Sequence, residues 1–309
     1  MKAARVHRYG PPDVIAVEEI DIPRPDEKQV LVRVSAAGVG PWDGWIRSGR
    51  SVLPQPLPLT LGSDLSGTVE AVGSGVIGFQ PGDEVFGVTN TRFIDAYAEH
   101  ALALAGMIAK KPRRPSHLEA ASAPVVAVTA LQMLFDHARV ASGQRVLILG
   151  AAGSVGGYAV QLAHLAGAHV IGTIRGDEAD YVEGLGADEV HAASALAGGA
   201  VSPVDAVIDT VGGDAQERSF SLLKRGGVLI SAVSQPDQDR ANRQGVRATF
   251  ILVNVATAPL RRIAALLDER QLTTCVGTVL PLAEARTAHE MLGGSKPHRR
   301  GKIVLSVGT

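Results

Sequence analysis

Apolar positions along the 309-residue chain fall into two rhythms. From the start to about residue 110, short β-type runs follow one another at 3–7, 15–20, 29–37, 65–72, 84–88 and 97–104. Turn signals such as Gly10-Pro11-Pro12, Pro23-Arg24-Pro25 and Pro81-Gly82-Asp83 separate them, which predicts a small antiparallel barrel or sandwich. From about Ser116 helix-period segments alternate with short apolar runs, the pattern of a parallel sheet with helices on its faces. Strands are expected at 145–149, 169–174, 205–209, 228–233 and 247–255, with helices at 215–223 and 260–270. The chain then returns to β-type segments and closes on a strand at 302–307.

The stretch RVLILGAAGSVGGYAVQLAHLAGAHVIGTIR, 145–175, is the densest part of this pattern. An apolar run meets a glycine turn, and a helix follows with Val155, Ala159, Leu162, Ala163 and Ala166 on one face. Gly167 ends that helix before a second apolar run, so the whole is a strand–helix–strand unit of about 30 residues. Its turn reads Ala151-Ala152-Gly153-Ser154-Val155-Gly156, a dinucleotide fingerprint with alanine at the first glycine position. Gly153 lets the backbone approach a pyrophosphate, Gly156 lets helix and strand pack closely, and the helix N-terminus presents free N–H groups. An NAD site would carry Asp or Glu about 20 residues further on, to hold the ribose 2′-hydroxyl. Here the second run ends in Thr173-Ile174-Arg175, and a guanidinium fork suits a 2′-phosphate. Asp177 and Glu178 come too late to be the ribose acid and read as the acidic start of a helix. The expected cofactor is NADP(H).

Thirty basic against 31 acidic residues point to neither nucleic acid nor a membrane surface as partner. The polar start MKAARVHRYG and the lack of a membrane-length apolar run lead to the expectation of a soluble, cytoplasmic protein. One cysteine, Cys275, excludes an internal disulfide and a four-cysteine zinc lobe. A short-chain dehydrogenase would need a tyrosine with lysine four residues on; Tyr9, Tyr97, Tyr158 and Tyr181 are followed there by Asp13, Ala101, Leu162 and Leu185. A methyltransferase would want an acid after the second strand and leaves the flanking β segments unexplained.

Several segments together carry a resemblance: PDVIAVEEIDIPRPDEKQVLVRVSAAGVGPWDGWIRSG (12–49), LTLGSDLSGTVEAVGSGVIGFQPGDEVFG (59–87), YAEHALA (97–103), the 145–175 unit, LGADEV (185–190), VDAVIDTVGG (204–213), LLKRGGVLISAVS (222–234) and GKIVLSV (301–307). The chain resembles a medium-chain dehydrogenase/reductase of the zinc-independent quinone oxidoreductase type, from end to end. The resemblance implies an α/β fold: a doubly wound Rossmann NADP-binding domain, 120–256, inserted in a β-rich GroES-like barrel domain made of 1–119 and 257–309. It implies no metal: zinc-dependent relatives place cysteine where this chain has Gly40 and histidine where it has Ser63, and neither replacement is a zinc ligand.

By family position Val126 and Thr129 would lie beside the nicotinamide, and Ala152, Gly153, Ser154 and Val155 would hold the pyrophosphate. Thr173 and Arg175 would hold the 2′-phosphate. Thr210, Val211 and Gly212 with Ala232, Val233 and Ser234 would line the ribose and nicotinamide, and Phe250, Ile251 and Leu252 would close the pocket. Gly40, Trp42, Trp45 and Phe250 are candidates for the substrate pocket, Gly40 replacing an asparagine usual in relatives. Asp43 is a candidate proton relay as well as a candidate turn or cap residue, and Tyr97 a candidate donor to a carbonyl as well as a barrel aromatic. The basic cluster Arg299-Arg300-Gly301-Lys302 reads as a solvated turn before the last strand, with Lys302 also a candidate to approach the cofactor phosphate region.

Without a Lewis acid, hydride transfer requires an acceptor that is already electrophilic. The implied activity is reduction by NADPH of a quinone or an alkene conjugated to a carbonyl, in a homodimer paired through RATFILVNV. The rival expectation is an NADPH-binding regulatory or interaction protein with little turnover.

Overall fold

The computed structural model describes residues 1–53, 55–197 and 201–308. They form two compact units, 1–125 with 255–309 and 126–254. These bounds differ from 119/120 and 256/257 because the helix His117–Ala121 packs on strands of the β-rich unit.

In the β-rich unit the strands run in the order Val276–Pro281, Lys302–Ser306, Gln29–Val39, Asp64–Val72, Glu84–Val88 and Ile108–Lys110. His100–Leu104 also pairs with Gln29–Val39. Nearly all pairings are antiparallel; the exception is Val276–Pro281, which runs parallel to Lys302–Ser306. A smaller sheet orders Ala16–Glu19, Lys2–Val6 and Leu59–Thr60. Alternation along Gln29–Val39 points Val30, Val32 and Val34 into a core shared with Val6, Leu61, Leu65 and Tyr97. The two ends of the chain meet in this unit, since Lys302–Ser306 pairs antiparallel with residues 36–39.

The other unit is a parallel six-stranded sheet in the order Glu189–Ala192, His169–Ile174, Arg145–Leu149, Val204–Asp209, Leu223–Ser231, Arg247–Phe250. This is the doubly wound α/β build predicted from the sequence, and its strand order reverses beside Arg145–Leu149. Val146, Leu147, Ile148 and Leu149 are all fully buried, as a central parallel strand covered on both faces requires. Leu147, Leu149, Ile171, Val207, Phe220 and Leu229 form the core on one face. Each such side chain stabilises the fold by about 2 kcal/mol.

Several elements differ from the expected bounds, the helix of 260–270 being Thr257–Asp268 and the strand of 97–104 starting only at His100. The helix of 215–223 is Gly213–Ser219 followed by a single 3-10 turn, Phe220–Leu222. The strand of 228–233 starts earlier, as Leu223–Ser231. RATFILVNV pairs only over Arg247–Phe250; after Ile251 N–H has bonded Ser231 O, the Gln132 side chain takes both the N–H and the carbonyl of Asn254. A side-chain amide thus replaces the sheet partner that apolar patterning predicts.

Candidate functional site

The fingerprint turn is built from the strand Arg145–Leu149 and the helix Ser154–Leu165. Gly150 N–H donates to Thr173 Oγ1 at 3.1 Å and Ala151 N–H to Thr173 O at 2.9 Å, tying the turn to the end of the neighbouring strand. A Cβ on Gly156 would stand 2.1 Å from Gly150 O, so the helix meets the turn only with glycine there. Gly153 is the N-cap and no side chain caps the helix, which leaves its first-turn N–H groups for an anion.

Asp209 organises the turn after Val204–Asp209. It is fully buried and accepts from Val211 N–H (3.0 Å), Gly212 N–H (2.8 Å), Gln216 Nε2 (2.8 Å) and Ser231 Oγ (2.7 Å). Ser231 Oγ in turn accepts from the N–H groups of Val233 and Ser234, so one carboxylate positions two turns at the carboxyl edge of the sheet. Its sequence signal is an aspartate ending an apolar strand just before Thr210-Val211-Gly212-Gly213.

A cavity of about 800 Å³ opens at this edge. Of the cofactor candidates, Ala152, Gly153, Thr173, Arg175, Thr210, Val211 and Gly212 lie on its wall. Ser154 and Val155 open the fingerprint helix without lining the cavity. Val126 and Thr129 are buried in the helix Pro124–Leu131 and are not among the residues that line the cavity. Val233 and Ser234 border Gly212, where a Cβ would stand 3.1 and 3.2 Å from their side chains, and Ala232 N–H bonds Asp209 O. Phe250 ends the edge strand, Ile251 is buried, and Leu252 is 66% exposed beyond it. Thr173 is only 2% exposed and its hydroxyl oxygen accepts from Gly150 N–H, so it braces the turn.

Nine wall residues fall outside the sequence-based set, among them Gly150 of the fingerprint turn and Gly213, Asp214 and Ala215 at the start of the helix Gly213–Ser219. Ile174 closes the second strand, and Ala193 and Ser194 follow the strand Glu189–Ala192. Glu178 and Arg218 also line the cavity. Glu178 stands at a helix start, as its sequence reading expects: it is the N-cap of Ala179–Gly184, yet it makes no side-chain cap bond. Its carboxylate folds back to the N–H groups of Arg175 (3.3 Å) and Gly176 (3.4 Å). Such a back-fold has no signature in spacing.

In the β-rich unit the candidates Gly40, Trp42, Asp43 and Tyr97 come together, while Trp45 is 45% exposed on the same helix, Pro41–Arg47. Tyr97 O–H donates to Asp43 Oδ2 at 2.9 Å, and Gly40 N–H to the same oxygen at 2.8 Å. Both side chains are fully buried, so the expected proton relay and carbonyl donor are occupied with each other and hold the start of the helix. Burial pushes the Asp43 carboxyl up to about 7 against the pull of Gly40 N–H, the Lys302 charge and the Tyr97 hydroxyl. The Trp42 indole lies against Gly40, where a Cβ would meet ring carbons at 2.3–2.5 Å, and its Nε1 donates to Ser63 Oγ at 3.0 Å. Lys302 is buried rather than solvated: its Nζ stands 3.2 Å from Asp64 Oδ2 and 4.3 Å from the centre of the Trp42 ring.

These positions do not fit zinc. Gly40 has no side chain, the Ser63 hydroxyl is taken by an indole, and an ammonium sits against Asp64. Among the described residues no group of three His, Cys, Asp or Glu side chains is arranged to hold a metal.

A doubly wound nucleotide sheet whose chain enters and leaves through a GroES-like β unit defines the medium-chain dehydrogenases/reductases. Residues 26–113 match the alcohol dehydrogenase GroES-like domain and 185–305 the zinc-binding dehydrogenase family. The chain is 31% identical to the quinone oxidoreductase of Homo sapiens over 99% of its length and 97% of that protein's. The structure of the quinone oxidoreductase from Coxiella burnetii superposes with a TM-score of 0.92 at 34% identity, covering 100% of this chain and 99% of that one. A mycobacterial protein solved in complex with NADPH gives 0.87 at 32%, covering 99% and 100%. The chain belongs to the zinc-independent quinone oxidoreductase-like family of the medium-chain dehydrogenases/reductases, and is an oxidoreductase.

Proposed function

We propose that the protein uses NADPH to reduce a quinone or an alkene conjugated to a carbonyl. The observation that carries the cofactor is Arg175: it directly follows Ile174, which ends the second strand where an NAD site has an acid, lies on the cavity wall, and its guanidinium has no hydrogen-bond or ion-pair partner among the described residues. The relative solved with NADPH supports the same assignment.

The uncapped helix start at Gly153 and the turn Gly150–Gly153 would hold the pyrophosphate, and Arg175 the 2′-phosphate. Asp209 fixes the turn Thr210–Gly212, which would line the ribose, by accepting from the N–H groups of Val211 and Gly212. Bound NADPH supplies a hydride. A quinone or enone needs no Lewis acid, because its own oxygen takes up the developing charge, and water completes the reaction with a proton. Asp43 and Tyr97 act as positioning residues for the helix Pro41–Arg47, and Trp42 fills the space over Gly40. Pairing of two copies through the edge strand Arg247–Phe250 and a cytoplasmic location belong to the same proposal. No helix among the described residues is long and apolar enough to cross a membrane.

The test is loss of reduced-nicotinamide absorbance with NADPH and NADH against quinones, enones and alkenals. Turnover that Arg175→Ala weakens for NADPH by about tenfold or more in KM, and little for NADH, is expected. Tight NADPH binding without turnover on any acceptor would instead make the protein a cofactor sensor.

A further inference from the structure

The cavity wall that holds Arg175 also holds a carboxylate. Glu178 is half-buried, stands at a helix start and does not cap that helix. Its Oε2 instead takes the N–H groups of Arg175 and Gly176 at 3.3 and 3.4 Å. Both bonds are long for N–H to carboxylate, where about 2.7–2.9 Å is usual for the strong charge-assisted ones, so the group is held weakly. Two backbone donors at a wall that also carries the Arg175 guanidinium, which has no hydrogen-bond or ion-pair partner among the described residues, make an anion site, and the chain's own carboxylate sits in it. Arg218, 3.6 Å from the exposed Asp214, adds a second guanidinium to the wall.

We propose that Glu178 is the residue that sets cofactor choice, as a built-in competitor for the 2′-phosphate. This rests on the nucleotide-binding function proposed above. A 2′-phosphate must displace the carboxylate from the Arg175 and Gly176 N–H groups and tolerate its charge nearby. A ribose with a free 2′-hydroxyl instead donates to the same carboxylate, the role an acid plays in an NAD site. Arg175 therefore raises the preference for NADPH and Glu178 lowers it, and the site accepts both cofactors.

Direct binding of NADPH and of NADH, each followed by fluorescence, tests this in the parent, Glu178→Gln and Arg175→Ala. Glutamine keeps an oxygen for the two N–H groups and removes only the charge, and circular dichroism checks that the fold is kept. In Glu178→Gln the Kd for NADPH is expected to fall about tenfold and that for NADH to rise severalfold. Opposite shifts are the signature, since a merely structural role would move both constants together. Parallel shifts, or an unchanged ratio in a protein that binds NADPH, overturn the role of Glu178 and leave the proposed function standing. A parent that binds neither nucleotide overturns both.

Discussion

Asp43 carries the clearest single-residue consequence. Its carboxyl lies near 7 in the folded protein against an ordinary 3.8, chiefly through burial. The folded state therefore binds this proton more tightly than the unfolded chain, and stability falls as pH rises from about 4 to about 7. The loss is on the order of a few kcal/mol at full ionisation. Asp43→Asn keeps an acceptor for Gly40 N–H and Tyr97 O–H and removes the charge. Its Tm is expected to change less than the parent's between pH 5 and 8, and to exceed it at pH 8; a profile parallel to the parent's would rule the titration out. Tyr97→Phe removes one buried hydrogen bond, and a loss of about 1 kcal/mol in denaturant unfolding is expected, with NADPH binding unchanged.

At the scale of elements, two devices hold strands and helices in place. The helix Pro41–Arg47 is anchored at its end by Arg47 Nε, which donates to His289 Nδ1 at 3.1 Å. Burial, aided by the Arg47 charge, pushes the His289 imidazole down to about 3, so its Nδ1 stays a free acceptor at neutral pH. At its start the helix needs glycine, because Trp42 covers position 40. Gly40→Asn is expected to destabilise by about 1–3 kcal/mol through overpacking, and Gly40→Asn with Trp42→Val to recover most of it in a double-mutant cycle. Additive losses would show that the indole and Gly40 are independent. The edge strand Glu189–Ala192 is pinned by one carboxylate that receives His169 Nε2 (2.6 Å), His191 Nε2 (3.1 Å) and Arg145 Nη2 (2.9 Å). The His169 bond above all holds Glu189 at about 2, so its contribution is present above its ordinary 4.5 and lost as pH falls through about 2. Glu189→Gln should speed amide hydrogen exchange across 189–192 at neutral pH, whereas unchanged exchange would assign the strand's order to its ladder alone.

For the whole molecule, the proposed homodimer puts the edge strand Arg247–Phe250 under test. An unpaired parallel edge invites a second copy, and Leu252 beyond it is largely exposed. Gel filtration of the parent is expected at twice the chain mass, and Thr249→Lys, which puts a charge on that edge, at the mass of one chain. A parent that elutes as a monomer would remove the dimer from the proposal.

Local pattern alone determined the order of β-rich and α/β segments, the strand–helix–strand unit at 145–175, and the nucleotide turn with no acid at the end of its second strand. Those features live in spacing: period-two and helix-period burial, and a glycine where a Cβ would strike Gly150 O. Tertiary structure alone decided how the polar side chains are used. Asp43 meets Tyr97 from a distant part of the chain, Lys302 returns from near the C-terminal end to Asp64, and Gln132 takes up the backbone of Asn254 beyond the edge strand. Glu178 was nearest in sequence to its partners and still illegible, because capping its own helix and folding back to Arg175 demand the same residue at the same position. Apolar burial repeats along the chain and can be read there, whereas a buried charge takes whichever partner the fold brings within reach.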